Sequence, residues 1–143
     1  MTTHPPAPGP SISLVSIRVI TDDVSRLVEF YEHVTGMPVH WSTPVFAELQ
    51  TPAGTLAIAG TQTVALFGAG SARPADNHTA IIEFLVDDVD AEYDKLKQLV
   101  SDFVNEPTTM PWGNRSLLFR DPDGNLVNFF TPVTPDAIAK FRH

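Results

Sequence analysis

Apolar side chains recur at helical spacing in two separate places along this chain. The first set is Val24, Leu27, Val28 and Tyr31, and the second is Val89, Tyr93 and Leu96. Each follows a β-branched or apolar run that ends at an acidic pair. Val19-Ile20-Thr21 leads into Asp22-Asp23, and Leu85-Val86 leads into Asp87-Asp88. An Asp just before an apolar helical stripe caps free N–H groups and faces the positive end of the helix dipole. The spacing therefore predicts two helices with acidic N-termini, the first closed by Thr35-Gly36, where a glycine suits the C′ position. Strand-like runs follow each helix. They are Val39 to Trp41, Val45 to Leu49, Leu56 to Ile58 and Val64 to Phe67, then Phe103-Val104, Ser116 to Phe119 and Leu126 to Phe130. Gly54, Gly60 and Asp121-Pro122-Asp123-Gly124-Asn125 punctuate them. Strand, helix and about three more strands thus occur twice, which an internal duplication explains economically.

This order predicts an α+β fold with a first βαβββ module over residues 11–69 and a second over 79–132. Residues 70–78 link them, within a stretch from Gly68 to His78 rich in Gly, Ala, Ser, Pro and Asn. Residues 133–143 read as a tail or a short helix capped near Thr134, and residues 1–10, with four prolines, as a flexible tail. One module alone would expose an apolar sheet face. Two laid together, or exchanged between chains, form a cupped mixed sheet and predict a symmetric homodimer.

Composition narrows the partners more than it defines them. Nine basic residues against 17 acidic give a net charge of −8, which argues against nucleic acid and permits a cationic ligand. There is no cysteine, so disulfides and thiolate metal sites are excluded. No apolar run reaches the roughly 20 residues that span a bilayer. The prolines of the first ten residues do not resemble a signal peptide, so a cytoplasmic protein with no membrane partner is expected.

The densest local signal is Pro111-Trp112-Gly113-Asn114-Arg115, followed by a β-hairpin turning at Asp121 to Asn125. Together with the opening Asp22-Asp23-Val24 helix and Phe30-Tyr31-x-x-x-Thr35-Gly36, it resembles the vicinal oxygen chelate superfamily. That superfamily includes glyoxalase I, extradiol dioxygenases and bleomycin-resistance proteins, and the resemblance covers residues 12–132. The Pro-Trp-Gly element looks most like the bleomycin-resistance branch. By resemblance, four side chains, typically His, Glu or Gln, hold a divalent metal in the cup. The matching positions here are Ser16 (or Leu14), Ala57 or Ala59, Ile81 and Asn128. Leu, Ala and Ile cannot bind a transition metal, and a lone Ser or Asn is a weak ligand. The resemblance therefore implies a cup without its metal cofactor.

Aromatic and polar side chains remain to serve a small-molecule ligand. Trp41, Phe46, Phe67 and Trp112 are expected to face the interior, and Phe46 and Trp112 match aromatic walls of the bleomycin-resistance groove. Asn114 and Asn128 offer donors and acceptors. Arg18 shares the alternation of Ser16, and Glu83 that of Ile81, so both reach the cup. Two functions follow. One is a metal-free protein sequestering an aromatic or cationic molecule, such as an antibiotic. The alternative is a glyoxalase- or dioxygenase-like lyase or oxidoreductase with an atypical metal site or acid–base residues such as Glu83. No catalytic residue is assignable from the sequence.

Overall fold

The computed structural model describes residues 11–142. The first half folds as β1 (Ser16–Thr21), α1 (Val24–Thr35), β2 (His40–Thr43), β3 (Phe46–Gln50) and β4 (Thr55–Gly60). The second half repeats the order with β5 (Ile81–Leu85), α2 (Val89–Leu96), β6 (Thr108–Thr109), β7 (Asn114–Arg120) and β8 (Leu126–Pro132), and α3 (Pro135–Lys140) ends it. The strands make two four-stranded sheets, ordered β1-β4-β3-β2 and β5-β8-β7-β6. β1 runs parallel to β4 and β5 parallel to β8, whereas the remaining pairs are antiparallel. Both sheets are therefore mixed, as the duplicated pattern predicts.

The acidic pairs do cap the helices. The Asp23 carboxylate accepts a hydrogen bond from the Arg26 N–H at 3.1 Å, and that of Asp88 from the Ala91 N–H at 3.2 Å. Gly36 ends α1 in the left-handed region at φ 69°, where a side chain would be strained. The apolar stripe of α1, Val24, Leu27, Val28, Tyr31 and Val34, is buried. It packs on Ala47, Leu49, Leu56 and Ile58 of the first sheet and joins Leu117, Phe119, Val127 and Phe129 of the second in one core. The Phe30 ring lies 6.3 Å from that of Phe119, and Tyr31 the same distance from Phe84, so α1 touches both sheets. One core serves both halves, which is why neither half leaves its helix unpartnered.

Two predicted strands form something else. Val64 to Phe67 lies mostly within a 3-10 helix, Thr61–Leu66, which buries Val64 while leaving Phe67 61% exposed. The Thr63 hydroxyl donates to the Gly60 carbonyl at 2.8 Å and tightens the turn straight off the end of β4. Phe103-Val104 contributes only an isolated bridge between Phe103 and Phe119. Just beyond it, Asn105 stands in for a ladder: its Oδ1 accepts from the Leu118 N–H at 2.7 Å and its Nδ2 donates to the Ser116 carbonyl at 3.4 Å. The fourth strand of that sheet is instead β6, two threonines with no apolar signal.

The short C-terminal helix is capped by Thr134, as predicted, and lies back across the second sheet. The Val133 and Thr134 N–H groups donate to the Gly113 carbonyl at 2.9 and 3.3 Å, and the Phe141 ring sits 5.2 Å from that of Phe130. Phe130 alternates with Phe129, which is in the core, so it points to the face away from α1 and α2. It is nonetheless 7% exposed, because the C-terminal segment covers it. Residues 1–10 lie outside the described residues.

Candidate functional site

Strand alternation gives each sheet a face opposite α1 and α2, called here the open face. On the first sheet, the core side chains Val19, Ile58 and Ala47 share a row, so Arg18, Ala57, Glu48 and His40 share the next row on the open face. The row beyond holds Ile20, Ala59 and Phe46. The alanines make a low floor, over which the Arg18 guanidinium stacks 4.8 Å from the centre of the Phe46 ring. Arg18 is exposed, and among the described residues it makes no ion pair. Arg18 and Phe46, read separately in the sequence, thus form one stacked unit.

On the second sheet, Glu83 of β5, Asn128 of β8 and Leu118 of β7 share a row of the open face. Asn128 Nδ2 donates to Glu83 Oε2 at 2.8 Å. Asn128 is 8% exposed, and its Oδ1 is buried with no hydrogen-bond partner. Asn114 lies on the same face opposite Pro132, and its Oδ1 is also buried and unpartnered. Trp112, just before it, occupies the turn where the Gly113 N–H donates to the Met110 carbonyl at 2.9 Å, and is 68% exposed. It stands at the end of the sheet, beside the first turn of α3 (Gly113 contacts Thr134 and Ala137).

Two expected aromatics are elsewhere. Trp41 pairs with Ala47 and so shares the face turned to α1, not the open face. The pairing of β2 with β3 shifts between Trp41 and Thr43, and β2 is an edge strand, so parity counted along the sequence fails there. Phe67 belongs to no strand and projects from the end of the 3-10 helix. A cleft of about 320 Å³ runs between β1 and β5, lined by Ser16, Ile17, Ile81 and Glu83 among others. A second, of about 460 Å³, separates β1 from the linker and includes Arg18, Arg73, Asn77 and Asn125.

The sequence reading missed a buried polar centre at the Asp121 turn. Tyr31 Oη donates to Asp121 Oδ2 at 2.8 Å, Asn125 Nδ2 donates to the same oxygen at 2.8 Å, and the Asp123 and Asn125 N–H groups donate to Oδ1 at 2.9 Å. Arg26 Nη2 adds a bond to the Pro122 carbonyl at 2.7 Å, fixing α1 to the hairpin. Burial pushes the Asp121 carboxyl above its ordinary range, against the hydrogen bonds that hold it down. Burial, then the neighbouring Asp121 charge, pushes the Tyr31 hydroxyl well above 10. An Asp opening a Pro-Asp-Gly turn is the one signal that could have announced it.

The register also tests the metal positions the resemblance implies. Ser16 pairs with Thr55, two residues before Ala57, as Ile81 pairs with Leu126, two residues before Asn128. The four positions are therefore equivalent in the two sheets, and Leu14 lies before β1. A hydroxyl, two hydrocarbons and an amide do not make a transition-metal ligand set. Among the described residues, no three His, Cys, Asp or Glu side chains cluster at ion-binding distance.

Paired βαβββ halves, with parallel outer strands and open faces bearing polar and aromatic groups, define a protein of the glyoxalase type. The chain belongs to the Glyoxalase/Bleomycin resistance protein/Dioxygenase superfamily, whose model matches residues 13–129. Among curated proteins it is similar to the uncharacterized protein YraH of Bacillus subtilis (strain 168), at 26% identity over 125 residues, 83% of this chain and 98% of that one. YwbC of the same organism, also uncharacterized, is 28% identical over 121 residues, 78% of this chain and 91% of that one. Among solved structures, a protein of unknown function from Agrobacterium tumefaciens str. C58 matches with a TM-score of 0.74 at 22% identity, covering 86% of this chain and 96% of that one. A glyoxalase/bleomycin resistance protein/dioxygenase from Nocardioides matches at 0.71 and 21%, covering 90% and 89%. These likenesses carry the fold.

Proposed function

We propose that this protein binds a small aromatic or cationic molecule between its open faces without a metal, sequestering it rather than transforming it. One observation carries the reading. The open faces hold binding groups, the stacked Arg18–Phe46 pair and the Glu83–Asn128 pair, while the superfamily's metal positions hold Ser16, Ala57, Ile81 and Asn128. A stacked guanidinium–ring unit on a floor of alanines suits a planar ligand, since aromatic stacking adds about 0.5–1.5 kcal/mol to area burial. Trp112, just before β7, is a further exposed ring available for stacking. The Pro111-Trp112-Gly113 element favours a bleomycin-resistance type of function, with an antibiotic as the ligand class. The functional unit is a homodimer, in which two chains complete the cup.

Two measurements test this. Metal analysis of protein purified without chelators is expected to find no stoichiometric transition metal. Finding one bound within the cup would favour the lyase or oxidoreductase reading, with Glu83 as an acid–base group. Titration of a Trp41→Phe variant with bleomycin as probe is expected to quench the remaining Trp112 fluorescence, and Trp112→Ala to weaken binding.

A further inference from the structure

We infer that Glu83 and Asn128 form a subsite for a protonated primary amine, the head group of a ligand whose apolar body lies against the surrounding face. This deepens the proposed function and rests on it. The amide orientation is fixed by its own contact: Nδ2 donates to Glu83 Oε2 at 2.8 Å, and turning the amide over would bring two acceptor oxygens together. Oδ1 is therefore the end that lacks a partner, on a side chain only 8% exposed. A buried carbonyl oxygen with no donor is a group awaiting one.

The pair is also short of positive charge. Glu83 is exposed, and no Lys, Arg or His lies within ion-pair distance of it among the described residues. The arginines on these faces have partners of their own: Arg120 Nη1 donates to the Gly124 carbonyl at 3.1 Å, and Arg18 stacks on Phe46. Two carboxylate oxygens and one amide oxygen thus share a single internal donor. An ammonium group carries three N–H donors and one positive charge, which answers both deficits at once. A quaternary ammonium carries the charge but no N–H, and a hydroxyl carries a donor but no charge.

The neighbouring rows supply the rest of the ligand's environment. Leu118 shares the row of the pair, and in the next row the Phe141 ring of the C-terminal segment covers Phe130 at 5.2 Å. Apolar walls beside a charged, donor-hungry pair suit an aralkylamine. The C-terminal segment, whose role the sequence left unread, becomes one boundary of the subsite.

Three probes with one ring decide it. Full-length protein, ¹⁵N-labelled, is titrated with benzylamine, benzyl alcohol and benzyltrimethylammonium. The Asn128 side-chain amide signal is assigned by its loss in Asn128→Asp. Benzylamine is expected to shift that signal and to bind about tenfold more tightly than either analogue. Glu83→Gln is expected to remove the preference for benzylamine over the two analogues. Equal affinity for all three probes, or a preference that survives Glu83→Gln, overturns the amine subsite while the cup reading stands. Failure of every probe to bind to the wild-type protein overturns both. The wild-type comparison decides the matter even if a variant does not fold.

Discussion

At the scale of single residues, the Asp121 carboxylate decides more than its place in a turn suggests. It takes hydrogen bonds from Tyr31, from the Asn125 side chain and from two backbone N–H groups, at 5% exposure. Asp121→Ala orphans all four donors, so it is expected to cost about 2–4 kcal/mol in urea unfolding. Tyr31→Phe removes one bond to a charged group and is expected to cost about 1–2 kcal/mol. The pH dependence follows from the direction of the shift. The folded carboxyl is pushed above its unfolded value, so the native state holds that proton more tightly. Its contribution is fully present below the unfolded pKa and is lost as pH rises through the folded one. The stability margin of the wild type over Asp121→Asn should therefore widen as pH falls from 7 to about 4, and a shrinking margin in paired urea melts would contradict the shift. Only the turn that begins at Asp121 was legible in sequence, because Tyr31 and Asp121 lie 90 residues apart and only the fold brings them together. The stacking of Arg18 on Phe46 and the bond from Asn128 to Glu83 needed the pairing of strands. Arg18 and Glu83 were legible as open-face residues of their two strands because alternation is strict where the pairing register is regular. Trp41 was not, because its strand pairs irregularly at an edge.

At the scale of elements, the helices and the main hairpin follow from local chemistry: an Asp cap, an apolar stripe, a glycine with positive φ, a Pro-Asp-Gly turn. Where strand expectations went astray it is absent: Val64 to Phe67, expected as a strand, carries no alternation, and β6, which was not expected, has no apolar residue. The short α3 has a Thr134 cap of the expected kind, and Gly113 governs its docking. Gly113 has φ 94°, and a Cβ there would run into Thr134 Oγ1 and crowd the Ala137 Cβ at 3.0 Å. Both the backbone conformation and the space exclude a side chain. Gly113→Ala is expected to cost about 1–3 kcal/mol and to loosen the C-terminal segment first. Faster amide exchange at Ile138 and Phe141, whose N–H groups bond to Thr134 and Ile138, would show it. Unchanged exchange there would mean that α3 is held without Gly113. Asp88→Ala, by contrast, removes only a cap and is expected to cost about 1 kcal/mol, with α3 undisturbed.

At the scale of the whole molecule, duplication explains both what is satisfied and what is left over. The two halves share one core through α1, so the chain is closed on the helix side. On the other side each sheet ends in an edge strand, β1 in one and β5 in the other, both facing a common cleft. Those edges and the approach to them are apolar and open: Leu14 is 84% exposed, Val15 67%, Ile17 51% and Leu85 53%. Unprotected edges of this kind invite pairing unless they are covered, and nothing in the described chain carries charge there to blunt them apart from Arg18 and Glu83. Two copies related by a two-fold axis would cover both edges at once, and would bring further open-face residues around one ligand. Sedimentation velocity of the full chain is expected to show a dimer at micromolar concentration. Paired Val15→Lys and Ile17→Lys substitutions set like charges on the edge and should weaken it by tenfold or more, about 1.4 kcal/mol. Dissociation should weaken ligand binding in parallel, since the cup is then incomplete. A wild-type protein that sediments as a monomer throughout, with binding undiminished, would place the whole site within one chain.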